Sequence, residues 1–236
     1  MICFDAYVPG ENFDPAMLPA ILDPTIATHD ELALEWRKQW QPGQELRIRF
    51  LDGDAQTKTL VEQIARTWLR HAGLHFVFGD RHTTELRITF SGNGYWSYVG
   101  TDALRIHPDR PTMRLGGLSA GRDPALLRRV VLHEFGHAIG CVHEQSSPAA
   151  AIPWNEPAVY AYYRKYSAWS DEEIRRNVLL RYSAATTRFT AHDPASIMQY
   201  AVPASLTVGG YQIPWNNELS PGDKSFIARM YPRAVG

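Results

Sequence analysis

The sequence predicts an α+β domain. Three observations carry that expectation. Segments with strand-like alternation cluster in the first half, capped helix signals recur from Asp123 onward, and no internal repeat or low-complexity stretch interrupts the order. The predicted order is strand, helix, three strands, helix, and then a less regular, mostly helical second half.

Residues 1–27 contain Pro9, Pro15, Pro19 and Pro24 and read as an irregular arm, neither helix nor strand. Thr28 and Glu31 have the spacing of a capping box, and Leu32, Trp36 and Trp40 would form one face of a short helix. Pro42-Gly43 stops it. Leu46-Arg47-Ile48-Arg49-Phe50 alternates apolar and polar residues, as a half-buried strand does. Val61, Ile64, Ala65, Trp68 and Leu69 follow at helical spacing, and Leu74–Phe78 and Leu86–Phe90 read as strands. The Gly-rich run 92–100 reads as a loop or bulged strand, and Thr112–Leu115 as a short edge strand. Asp123 then Pro124 is an N-cap followed by proline at the first helical position, and that helix should end at Gly140. Asn155–Tyr166 and Ser170–Arg181 read as helices, the second with a Ser170/Glu173 capping box. A last helix starts at Ser220-Pro221 and ends before Pro232.

The chain has 236 residues, enough to bury a substantial core. Lys+Arg is 24 against Asp+Glu 25, a net charge of −1, so no excess positive charge exists to track a phosphate backbone and nucleic acid is not expected as a partner. No apolar run approaches the roughly 20 residues of a membrane span. The N-terminus lacks a basic region followed by a long apolar core, so no signal peptide is read there. Two cysteines, Cys3 and Cys141, allow at most one internal disulfide.

The chemistry lies in His133-Glu134-Phe135-Gly136-His137-Ala138-Ile139-Gly140-Cys141-Val142-His143-Glu144. Residues four apart lie on one helix face, so His133 and His137 present two imidazoles to one point. Glu134 places its carboxylate beside a metal rather than on it, where a base takes a proton from water. Gly140 can leave the helix with positive φ and bring His143 back as a third ligand. Three neutral nitrogens and an open position describe a catalytic zinc site; a structural site is closed by four protein ligands. HExxH alone is also compatible with two surface histidines on a helix, but Gly140 and His143 argue against that. His29, His71, His75, His82, His107 and His192 lack ligand spacing and read as surface or loop residues. Asp52 and Asp54 suggest a metal loop but fit better a strand-to-helix turn with Asp54 near a helix start. Trp96 and Tyr98 fit a cleft lining or simple packing equally, and the charges of residues 172–176 read as a solvated helix face.

The extended motif resembles that of the metzincin metalloproteases. Ser196-Ile197-Met198-Gln199-Tyr200 resembles their Met-containing turn beneath the zinc. Glu144 directly after the third histidine, Tyr200 two residues after Met198, and the stretch Tyr95–Gly100 narrow the resemblance to the astacins. It covers about residues 40–232. The chain departs from the astacin pattern in having two cysteines in place of four, Cys141 at a usually bulky apolar position, and Gln199 in place of histidine. Those departures suggest a divergent, microbial branch.

The resemblance implies a metzincin-type catalytic domain. Its N-terminal lobe, about 45–143, would hold a mixed twisted sheet and two helices. A zinc cleft would separate it from an irregular, helical C-terminal lobe, about 144–236. Residues 1–44 form the arm and short helix. The implied activity is a zinc endopeptidase with one zinc per chain, held by His133, His137 and His143, with Tyr200 as a further ligand that swings away. Glu134 is the expected base and Tyr200 the expected oxyanion donor; Met198, Gly140 and Glu144 support the site. A protein or peptide substrate is expected, extended along Thr112–Leu115, and a monomer is favoured. The resemblance leans toward secretion. Two other readings stay open: a silent zinc-binding module, and a zinc amidase acting on a non-protein amide. The arm reads as a fixed part of the fold, with Cys3 free or bonded to Cys141. Its alternative is a latency segment whose Cys3, Asp5, Asp14 or Asp23 closes the open zinc position.

Overall fold

Alternation of buried and less buried residues makes Glu45–Phe50 a strand, and that strand is paired on both sides within the sheet. In this computed structural model, which describes residues 3–5, 38–80, 83–167, 169–181 and 191–233, six strands form one mixed sheet. They are β1 (Cys3–Asp5), β2 (Glu45–Phe50), β3 (His75–Phe78), β4 (Leu86–Thr89), β5 (Tyr95–Ser97) and β6 (Met113–Leu115), in the order β1-β5-β6-β4-β2-β3. β2 runs parallel to both β3 and β4, β4 parallel to β6, and β5 antiparallel to β6.

Helix α1 (Ala55–Ala65) starts at Asp54, whose carboxylate accepts from Thr57 N at 2.9 Å. Asp54 is thus an N-cap, and Asp52 ties the same turn to the sheet by accepting from Thr89 Oγ1 and Phe90 N. The helical spacing through Leu69 is divided: α1 ends at Ala65, and Trp68–Arg70 is a separate 3₁₀ turn. Helix α2 (Pro124–Ala138) packs against α1 and against β5 and β6 of the sheet. Leu46, Ile48, Leu86, Ile88, Met113 and Leu115 from the sheet meet Val61, Trp68, Val131, Leu132 and Phe135 in one core.

The second half holds α3 (Glu156–Tyr166), α4 (Asp171–Ile174) and α5 (Pro221–Met230). Asn155 caps α3, and capping boxes open α4 and α5. The segment expected as one helix to Arg181 is shorter, since α4 passes into a π-turn at Arg175–Leu179. Val159, Tyr163, Trp169, Ile174, Val178 and Leu206 form a second, smaller core.

Two expectations are corrected. The arm is not wholly irregular, because Cys3–Asp5 pairs parallel with β5, Cys3 opposite Tyr95 and Asp5 opposite Ser97. Thr112–Leu115 is not an edge: β6 lies between β4 and β5. The Gly-rich run, read as a loop or bulged strand, holds strand β5. Of the short helix expected over residues 28–40, all but 38–40 lie outside the described residues; Trp40 is outside any helix and buried in the main core.

Candidate active site

Helix α2 owes its position to satisfied groups at both ends. At its start, Asp123 Oδ1 accepts from Ala125 N. At its end, free carbonyls need donors. Trp40 Nε1 donates to Ala138 O at 2.8 Å and Tyr231 Oη donates to Ile139 O at 2.7 Å. Gly140 adopts φ 96°, a conformation that lets the chain turn back as the spacing required. His143 follows, heading a 3₁₀ turn over Glu144–Ser146.

The turn brings three imidazoles together. The Nε2 atoms of His133, His137 and His143 lie 3.1–3.2 Å from one another. His133 Nδ1 donates to Ile197 O at 2.8 Å, and His137 Nδ1 donates to Cys141 O at 2.9 Å. A carbonyl oxygen only accepts, so both rings carry their proton on Nδ1 and turn a bare Nε2 inward. Lone pairs aimed at one point repel unless a cation lies among them. Zinc at about 2.0–2.1 Å from each nitrogen would set them about 3.3 Å apart. The donor set and spacing fit zinc. Among the described residues this is the group of possible ligands that converges.

Glu134 follows His133 and is 1% exposed. The Tyr200 ring stands against His143 with centroids 4.3 Å apart. Its backbone is fixed on both sides: Tyr200 N donates to Gln145 Oε1 at 3.2 Å, and Gln199 Nε2 donates to Tyr200 O at 2.8 Å. Beside the histidines a cleft is lined by Tyr95, Arg129, Val130, Gln199, Tyr200 and Trp215.

Met198 lies directly under α2. A Cβ on Gly136 would fall 2.3 Å from Met198 Sδ, so any larger residue at this helix position would displace the methionine side chain. The turn carrying Met198 is braced from below by a residue that periodicity did not single out. Asp223, in the first turn of α5, accepts from Ser196 Oγ at 2.6 Å and Ile197 N at 2.8 Å. Ile197 O then receives His133, so α5 orients a metal ligand through two hydrogen bonds. Glu144 closes the other side: its N–H donates to Met198 O and its carboxylate accepts from Asp193 N. Burial, with Asp223 and Asp193 nearby, pushes the Glu144 carboxyl up to about 7. The capping-box spacing of Ser220 and Asp223 was the only sequence signal for this brace.

His71, His75, His107 and His192 lie apart from the cluster; His192 hydrogen-bonds Gln199 Oε1 at 2.9 Å. His29 and His82 are outside the described residues. Cys141 is a free buried thiol, which excludes a bond to Cys3. Trp96 and Tyr98 pack edge to face, and Arg114 stacks over Trp96.

The profile of the peptidase family described as Astacin matches residues 33–208. The chain belongs to the astacin family. It is therefore a zinc metalloprotease by family, with His133, His137 and His143 as its zinc-binding group. Among solved structures, one of myroilysin is 36% identical at a TM-score of 0.82, covering 84% of this chain and 98% of the other. A second myroilysin structure is 37% identical with a TM-score of 0.65, covering 83% and 86%. High choriolytic enzyme 1, a hatching-enzyme zinc protease of the medaka fish Oryzias latipes, shares the fold at a TM-score of 0.57 and 17% identity, covering 84% of this chain and 96% of that one. A search of curated proteins found no match. Among the described residues no helix is long and apolar enough to cross a membrane.

Proposed function

We propose that the protein is a zinc-dependent endopeptidase that cuts within extended polypeptide segments, with Glu134 as general base and Tyr200 as the donor to the developing oxyanion. The observation that carries this reading is the convergence of three Nε2 atoms at 3.1–3.2 Å, with Glu134 next along the same helix and Tyr200 in the same cleft. When bound, zinc lowers the pKa of a coordinated water toward about 7 and polarises the scissile carbonyl. The Glu134 carboxylate accepts the proton of the attacking water and hands it to the leaving amine nitrogen. The Tyr200 hydroxyl donates to the carbonyl oxygen as that atom gains negative charge. Tyr200 would also be able to help hold the zinc when no substrate is present.

A silent zinc module would need neither Glu134 nor Tyr200. A zinc amidase for small amides would not need a sheet edge along the cleft. Zinc-loaded protein is expected to cut casein and a mixed peptide library, to stop with chelator, and to recover with added zinc. Cleavage of non-peptide amides alone would select the amidase, and zinc binding without turnover of any amide would select the module.

Because β6 is internal, β5 is the strand we take to receive the substrate, its outer side being the one that β1 covers. An extended peptide can add to such an edge by main-chain hydrogen bonds. Cys3–Asp5 already occupies it. This supports the arm as an obstacle to substrate, whatever its side chains contribute; Asp14 and Asp23 lie outside the described residues. At about 1 kcal/mol per net hydrogen bond, a three-residue pairing holds the edge closed by roughly 2 kcal/mol, about 30-fold. Removing residues 1–35 is thus expected to raise kcat/KM on peptides by about that factor, and proline at Cys3, Phe4 and Asp5 together, which strips the strand of its N–H donors, should do so in part. Unchanged or lower kcat/KM in a truncated protein that still folds would make the arm purely structural.

A further inference from the structure

The segment that leads into β5 carries the chain's single Asn-Gly pair, Asn93-Gly94. Asn93 is exposed. Neither its side-chain amide nor the Gly94 N–H has a hydrogen-bond partner among the described residues. Gly92 and Gly94 take φ 84° and 81°, a region that glycine enters without steric cost. Gly94 also has no Cβ to keep its own nitrogen away from the neighbouring side-chain carbonyl carbon. An asparagine so placed reacts with its own backbone, one source of the thermal lability of that residue. The Gly94 nitrogen bonds to Asn93 Cγ, the bond from Cγ to the amide nitrogen breaks, and that nitrogen leaves as ammonia with the Gly94 proton. Water then opens the cyclic imide. Opening at Cγ gives aspartate. Opening at the main-chain carbonyl gives isoaspartate, whose backbone runs through the side chain and is one methylene longer.

The fold treats these two products differently. Aspartate keeps the backbone as it is. It places a carboxylate one residue from Gly92, where a Cβ would fall 3.3 Å from Arg114 Cζ, and Arg114 Nε is buried without an acceptor. A negative charge is welcome there. Isoaspartate lengthens the chain at a point that is pressed against β6. Gly94 O accepts from Gly116 N at 3.0 Å, and a Cβ on Gly116 would fall 2.6 Å from the carbonyl oxygens of both Gly92 and Gly94. The added methylene must break that hydrogen bond or slide β5 along β6, away from the register Tyr95 opposite Leu115 and Ser97 opposite Met113. Tyr95, the next residue, lines the cleft beside His133 and Glu134.

We propose that Asn93 is a spontaneous modification site, and that its isoaspartyl product lowers activity by displacing β5 and the cleft wall it carries. The effect on activity rests on the endopeptidase reading above; the modification itself does not.

The test holds the full zinc-loaded chain in mildly alkaline buffer at physiological temperature. Peptide mapping follows the mass of the Asn93 peptide, and an isoaspartyl-specific methyltransferase counts the isoaspartyl fraction. We expect kcat/KM to fall in proportion to that fraction. Asn93→Gln, whose longer side chain closes the ring far less readily, should keep both its mass and its starting kcat/KM, while any autolysis is common to both chains; Asn93→Ser gives the same control should the glutamine chain misfold. Asn93→Asp should start within about twofold of the parent, as an exposed substitution does. An Asn93 that stays intact in the folded chain while it reacts in the denatured chain overturns the site. Isoaspartate that accumulates with kcat/KM unchanged overturns its effect. The Glu134→Gln protein, aged in the same way, keeps the two readings apart. If fresh protein cuts no peptide, the endopeptidase reading fails, and the site stands on isoaspartate accompanied by a lowered unfolding midpoint in the Glu134→Gln chain.

Discussion

Glu134→Gln is expected to fold, to retain zinc, and to lose between about 10² and 10⁴ of its kcat/KM, the usual contribution of a general acid–base group. Glutamine has nearly the same shape, so the packing of α2 around a 1% exposed side chain is preserved. The His133, His137 and His143 nitrogens are untouched, and so are the carbonyls of Ile197 and Cys141 that orient two of them. The change removes one property, the ability to accept a proton and release it. Zinc content by metal analysis and cleavage of a quenched peptide separate the two effects. Cleavage within tenfold of the parent would show that another group takes the proton. Loss of zinc together with activity would place Glu134 in the support of the metal instead.

The zinc helix was legible because its information is local. Ligands four apart on a helix, a glycine that can take φ 96°, and a capping Asp123 next to Pro124 all act within one turn of where they stand. The Met198 turn was legible by resemblance, and Gly136 shows how closely it packs: a Cβ there would have to displace the methionine side chain. What sequence reading missed depends on long-range pairing. Nothing in Met113–Leu115 announces that β5 will lie antiparallel beside it and turn an expected edge into an interior strand. Nothing in Cys3–Asp5 reveals a partner about 90 residues away, and the prolines that follow suggested the opposite. Asp223 reaches Ser196 and Ile197 from a different helix. Ser170–Arg181 was overestimated for another reason: capping signals mark where a helix starts, and here the backbone widens into a π-turn after one α-turn.

Tyr200→Phe tests the other half of the chemistry, and its expected effect falls on kcat. The phenyl ring keeps its place against His143, 4.3 Å between centroids, and the backbone stays fixed by Gln145 and Gln199. Tyr200 is 6% exposed, so most of what the side chain buries is retained and stability should change little. Only the hydroxyl is lost. A donor aimed at the carbonyl oxygen helps most when that oxygen is an anion, and removing one such donor costs roughly 10²–10³ in kcat. KM should move far less, because the neutral carbonyl of the bound substrate gains little from the same hydrogen bond. Zinc retention should persist, since the three histidines remain to hold the metal. Steady-state kinetics on one peptide, with metal analysis alongside, give all three quantities. A fall in kcat with KM nearly constant assigns the hydroxyl to the transition state. A rise in KM alone would assign it to ordinary substrate binding, and the oxyanion role would have to pass to another donor in the cleft.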